Sequence, residues 1–146
     1  MVITNLIETK QMTMSKISLD TNVLIFLFND EFVTKRSIAE NLVFANPIVS
    51  AQVVSEFLNV SKRLLQIPKL DTLIKCNKAL RNCTIVPTTQ IVLNHAEKLI
   101  TRYDLQLFDA IIVASAIEAN CTILYSEDMQ HGFVIEGTLT IINPFI

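Results

Sequence analysis

Four carboxylates in this chain stand where they could do chemistry together: Asp20, Glu56, Asp109 and Asp128. Asp20 directly follows the apolar run Ile17-Ser18-Leu19, and Asp128 follows Thr122 to Tyr125 by way of Ser126 and Glu127. Glu56 and Asp109 sit near the start of two apolar-patterned helical segments. Converging carboxylates repel one another and raise each other's pKa unless a cation is bound. An all-oxygen donor set suits Mg²⁺ or Mn²⁺. Such ions lower the pKa of bound water and neutralise charge on phosphoryl oxygens, which is the chemistry of phosphodiester hydrolysis. Asn22 and Ser126 flank the two strand-following acids and could orient them or a water. Each residue also has a plainer use. Asp109 can be a helix-start acid complementing the macrodipole, Glu56 a helix surface group, Asp20 and Asp128 turn residues, and Asn22 a helix cap.

These acids need elements to bring them together. From Lys16 the chain alternates short apolar strands with longer helices. Strands are expected at Ile17–Leu19, Pro47–Val49, Thr84–Val86, Thr122–Tyr125 and Thr140–Ile142. Helices are expected at Asn22–Phe28, Thr34–Phe44, from Ser50 as a cap to a break at Pro68, at Leu70–Arg81, after a cap at Thr88 or Thr89, and from Asp109 through Ala119. Strands separated by helical pairs imply crossovers. The fold class expected is therefore α/β, a three-layer α/β/α arrangement around a parallel, about five-stranded sheet. The strands lack alternation, as in a sheet buried on both faces. In such a sheet ligands bind beyond the carboxyl ends of the strands, where Asp20 and Asp128 fall.

Composition removes several other functions. With 146 residues one domain with a sizeable core is expected. Only two glycines, Gly132 and Gly137, exclude a phosphate-cradling glycine loop. Three cysteines without a CxxC pair argue against a zinc site or disulfide framework and for a reduced, cytoplasmic setting. Two histidines are too few for a histidine-based metal centre, and His95 and His131, neither with an obvious partner acid at triad spacing, read as structural. Residues 1–16 lack the apolar core of a signal peptide, and Val23–Phe28 is too short to span a bilayer, so no membrane association is expected. The division expected is an extension over 1–15, with Met12 and Met14 as alternative starts, and one domain over 16–146. The net charge of −2 is low for a nucleic-acid binder, unless bound cations invert the field around clustered acids.

The motifs Asp20-Thr21-Asn22-Val23, Ser55-Glu56-Phe57, Phe108-Asp109-Ala110 and Ser126-Glu127-Asp128, in this order, resemble those of PIN domains. The tail Glu127-Asp128-Met129-Gln130-His131-Gly132, with Asn143-Pro144-Phe145, is similar to VapC-type toxins of bacterial toxin–antitoxin pairs. The resemblance covers roughly residues 16–146. It implies a PIN-like fold, frequent homodimers, Mg²⁺- or Mn²⁺-dependent RNA cleavage and a cognate antitoxin that blocks the site. It also implies that Asp20, Glu56, Asp109 and Asp128 are the catalytic, metal-holding quartet. Ser126 stands where threonine is common, which keeps the hydroxyl, and the leading extension is unusual for the family. Lys35-Arg36 and Lys62-Arg63 are candidates for phosphate contact or ordinary solvated faces. The segments 42–44 and 53–65 could serve a dimer or antitoxin surface or the core.

Other readings fare worse. A haloacid-dehalogenase-type phosphatase needs a second Asp where Asn22 stands. A receiver domain needs an Asp after a middle strand, where Pro87 and Thr88 stand. A flap-type DNA nuclease would need a longer chain. The alternative of a different class is a non-catalytic PIN-like module that binds RNA or protein. Its usual signature is loss of an acid, and all four are present.

Overall fold

A computed structural model of the chain describes residues 15–146. Apart from Ser15, the expected extension lies outside the described residues. The chain begins with strand β1 (Lys16–Leu19), helix α1 (Thr21–Ile25) and a single 3₁₀ turn at Phe26–Phe28. Helix α2 (Val33–Phe44), β2 (Ile48–Ser50), α3 (Ala51–Leu65) and α4 (Lys69–Ala79) follow. Then come β3 (Thr84–Val86), α5 (Gln90–Tyr103), α6 (Leu107–Glu118), β4 (Cys121–Tyr125), β5 (Val134–Ile135) and β6 (Leu139–Ile142).

The strands form one sheet in the order β3-β2-β1-β4-β6-β5. The five expected strands are there, and the pairs β1–β2, β2–β3, β1–β4 and β4–β6 are all parallel. Helices flank the sheet, which gives the α/β architecture expected from the alternation of elements. The addition is β5, antiparallel to β6 at the sheet edge. Two residues carry no periodicity, so no pattern marks this strand. Its turn is legible only afterwards: Glu136 (φ 51°) and Gly137 (φ 67°) are both left-handed, and the Thr138 N–H donates to the Ile135 carbonyl at 3.1 Å. That is the hairpin turn whose twist matches its strands, and it calls for glycine at such a position.

Caps set the helix limits. Ser50 Oγ accepts from the Val53 N–H at 3.2 Å and starts α3 directly at the end of β2. Thr89, rather than Thr88, starts α5 by accepting from the Val92 N–H at 3.2 Å. Left-handed residues close both helices, Gln66 (φ 51°) after α3 and Asp104 (φ 54°) after α5. Helix α3 buries Val53, Phe57 and Ser61, one turn apart, and leaves Ser55 and Asn59 outside. Helix α6 is buried continuously from Ala110 to Ala116, because it packs against α5, α3 and the sheet. The stretch 53–65 thus divides: its Val53 and Phe57 side belongs to the core, while Leu64 is exposed, as is Phe44 at the end of α2.

Phe57 is fully buried and stacks on Phe28, with centroids 5.5 Å apart and planes at 17°. Phe57→Ala removes the largest fully buried side chain, so it should lower unfolding stability by about 3–5 kcal/mol in urea denaturation. A loss below about 1 kcal/mol would mean that the site collapses around the gap.

Candidate active site

The strand order reverses beside β1. The chain leaves β1 toward β2 and β3 on one side, then returns through α5 and α6 to place β4 on the other. The crevice beyond the carboxyl ends of β1 and β4 is therefore a topological switch point, where open α/β sheets bind ligands. Leu19 and Tyr125 are register partners at its floor, and the Asp20 N–H donates to the Tyr125 carbonyl at 2.9 Å. The residues after these strands, Asp20 and Ser126, thus emerge side by side.

Asp20 caps α1, and only 5% of its surface is exposed. Its Oδ1 accepts from the Thr21 N–H at 2.7 Å. Its Oδ2 accepts from Ser126 Oγ at 2.8 Å and from Asn22 Nδ2 at 3.0 Å. The same Asn22 amide donates to Asp128 Oδ2 at 3.1 Å, while Asn22 Oδ1 accepts from the Glu127 N–H at 3.0 Å. Ser126 is fully buried, and its Oγ also accepts from the Met129 N–H at 3.1 Å. Asn22 and Ser126 therefore stitch the loop after β4 to the start of α1, with Asp20 and Asp128 on either side of one amide.

Glu56 reaches the site because α3 packs on α1. It lies in the second turn of α3. Its Oε2 accepts from Thr21 Oγ1 at 2.7 Å, and its Oε1 accepts from Gln52 Nε2 at 3.0 Å. Neither Thr21 nor Gln52 is singled out by the sequence. The signal for Gln52 is its position one helical turn before Glu56. Thr21 carries only the hint that a buried hydroxyl requires a partner. Asp109 comes from the first turn of α6, which begins at Leu107 rather than at Asp109 itself. It joins the group through charge, by repelling Glu56, Asp128 and Asp20.

The electrostatics of the site are those of uncompensated anions. Burial pushes the Asp20 carboxyl up to about 6, against the opposing hydrogen bonds from Ser126 and Thr21, and Asp109 and Glu56 add repulsion. Burial also raises Asp109, with repulsion from Glu56 and Asp128 behind it. Among the described residues none of the four acids forms a salt bridge. Nor do any three His, Cys, Asp or Glu side chains close to the spacing of ligands on one ion. The carboxylates are neighbours held on separate elements, without a preformed cage.

Most of the remaining polar candidates have partners of their own. Lys35 pairs with Glu127, and Arg36 with Asp30 and Glu40, so this basic pair is not a free phosphate contact; Lys62 and Arg63 are exposed at the end of α3. His95 does have acid partners, Glu118 at 2.8 Å from Nδ1 and Glu136 at 2.8 Å from Nε2. Glu118 ends α6 just before β4, and Glu136 lies just before β6. This cluster is therefore at the amino end of the strands, across the sheet from the acids, where it clasps α5, α6 and the β5–β6 turn.

Residues 17–132 match the model of the PIN domain. The chain belongs to the PIN-domain family. All four acids lie within the matched span. No curated protein is matched by sequence. Among solved structures, this PIN domain is similar to a chain in a toxin–antitoxin complex from Klebsiella pneumoniae, with a TM-score of 0.67, 25% identity, and coverage of 90% of this chain and 98% of that one. FitAcB from Neisseria gonorrhoeae matches at a TM-score of 0.65 and 20% identity over 88% and 97% of the two chains. VapC20 from Mycobacterium tuberculosis, a sarcin–ricin loop cleaving toxin, matches at 0.61 and 19% over 77% and 90%. The last two likenesses are likenesses of fold. No described helix is long and apolar enough to cross a membrane.

Proposed function

We propose that this PIN domain is a divalent-metal-dependent endoribonuclease and the toxin of a toxin–antitoxin pair. The observation that carries the reading is the uncompensated acid group at the switch point: a buried Asp20, raised to about 6, beside Glu56, Asp109 and Asp128, with no basic side chain among the described residues paired to any of the four. Burying like charges together is unfavourable in the absence of a counter-ion. The donor chemistry, carboxylate oxygens fixed by amides and hydroxyls, fits Mg²⁺ or Mn²⁺. Asp20, Glu56, Asp109 and Asp128 would hold the ion or ions. When bound, such an ion acidifies water and offsets charge on the phosphate.

The chain's own residues supply orientation. Thr21 and Gln52 saturate one side of each Glu56 oxygen and fix its rotamer. Ser126 and Asn22 do the same for Asp20, and Asn22 carries the alignment across to Asp128. All these donors are neutral, so they orient the acids while leaving their charge available. Asn22→Ala should therefore weaken Mn²⁺ binding roughly 10–100-fold with an unchanged circular dichroism spectrum. Affinity within two-fold of wild type would mean that the loop after β4 positions itself.

A second reading is a non-catalytic module that binds RNA or protein. The absence of three ligands at single-ion spacing among the described residues favours it. Induced expression in a bacterial host separates the two. The toxin reading expects growth arrest with fragmentation of an RNA, relieved when the cognate antitoxin is co-expressed. Unimpaired growth and intact RNA, with pure protein still retaining RNA on a filter, would favour the module. A cytoplasmic location and a homodimer, both common in such toxins, belong to the same proposal.

A further inference from the structure

Lys35, on α2, takes no part in the chemistry above, yet its ammonium is anchored to the loop that carries Asp128. Its Nζ donates to both carboxylate oxygens of Glu127, at 3.1 and 3.2 Å. The same nitrogen lies 4.8 Å from the ring centroid of Phe26, 5.3 Å from that of Phe145 and 5.6 Å from that of Phe32. These rings come from the turn after α1, the C-terminal tail and the residue before α2. They also hold one another, Phe26 meeting Phe145 edge-on at 4.9 Å and Phe32 at 5.9 Å. The tail is tied down in turn. The Phe145 N–H donates to Asn143 Oδ1 at 2.9 Å, and the Asn143 N–H donates to His131 Nδ1 at 3.0 Å.

Glu127 lies between Ser126 and Asp128. Its backbone N–H is held by Asn22 on α1, while its side chain is held by Lys35 on α2. One loop residue is thus pinned from two helices. A cation partly stripped of water over aromatic faces is held more firmly than one on an open surface. It also neutralises the one carboxylate in the Ser126–Asp128 loop that the acid quartet does not use.

We propose that Lys35, caged by Phe26, Phe32 and Phe145, is a positioning residue. By gripping Glu127 it fixes the loop that carries Asp128 against Asp20, and it makes the C-terminal tail part of the support of the site. The proposal rests on the reading of the acid quartet as a metal site, so its test includes a readout that needs no metal.

Amide exchange in EDTA is followed by NMR at Glu127 and Met129, whose N–H groups are held by Asn22 and Ser126. Lys35→Met keeps the aliphatic packing and removes the charge. It should speed exchange at both amides about ten-fold by local opening, with exchange in α6 unchanged. It should also weaken Mn²⁺ binding, measured by electron paramagnetic resonance, about ten-fold. Lys35→Arg should restore both to within about two-fold, and Phe145→Leu should reproduce part of the Lys35→Met effect. Unchanged exchange at the two amides in Lys35→Met would overturn the proposal, and so would faster exchange with unchanged Mn²⁺ affinity. A wild-type protein that binds no Mn²⁺, with loop amides that still depend on Lys35, would sink the metal-site reading and leave the anchoring of the loop standing.

Discussion

Asp20→Asn should lower metal-dependent RNA cleavage by roughly 10³-fold, about 4 kcal/mol of transition-state stabilisation, while the fold survives. Asp20 is the acid on which the site converges. Its two oxygens contact Thr21, Asn22 and Ser126, and its carboxyl is raised by burial and by the charges of Asp109 and Glu56. Asparagine keeps the shape and is as good a helix cap as aspartate, so α1 should still start where it does. What it loses is the negative charge and one acceptor, since its amide nitrogen would face Asn22 and Ser126 in place of Oδ2. Growth arrest on induction should vanish with the activity, and the far-ultraviolet circular dichroism spectrum should match that of wild type. A variant that fails to fold would make Asp20 a structural cap and remove the main support for the catalytic reading.

The second large effect is on stability, and it follows from the same charge. The folded Asp20 carboxyl titrates at about 6, against 3.8 for an ordinary aspartate. The folded protein therefore binds this proton more tightly than the unfolded chain. Stability from this group is fully present below about pH 4 and is lost as pH rises through 6. At roughly 1.4 kcal/mol per pH unit, the loss is about 3 kcal/mol. Asp109 is raised in the same direction and adds to it. In EDTA, the wild-type unfolding free energy should fall between pH 4 and pH 7, and Asp20→Asn should flatten much of that slope. Millimolar Mg²⁺ or Mn²⁺ at pH 7.5 should restore stability to wild type and leave the variant nearly unaffected, since an ion that binds only the folded state stabilises it by mass action. A flat wild-type profile in EDTA would mean that burial does not penalise the charged form of Asp20.

Much of this organisation is legible in the sequence. The apolar runs ending at Leu19 and Tyr125 mark two strands, and Asp20 and Asp128 follow them. The parallel sheet then places both acids at one end. The alternation of elements does not give the strand order. That β4 lies directly beside β1, which brings Ser126 against Asp20, depends on the crossover through α5 and α6. Strand β5 escapes because two residues have no period. The orientation of Asn22 shows the same limit: a cap and a bracket have the same sequence signature, and only the return of the loop after β4 distinguishes them. Lys35 reads as half of an exposed basic pair, because the rings around it come from positions 26, 32 and 145, which no local pattern connects. His95 reads as lacking a partner acid because Glu118 and Glu136 lie 23 and 41 residues away along the chain.

The most direct test is cleavage of a mixed single-stranded RNA pool by wild type with Mn²⁺, by wild type with EDTA, and by Asp20→Asn with Mn²⁺. The expected result is cleavage in the first reaction alone, restored in the second when Mn²⁺ is returned in excess. Cleavage that persists in EDTA, or an Asp20→Asn protein as active as wild type, would contradict the assignment of the acid quartet as a metal-dependent nuclease centre.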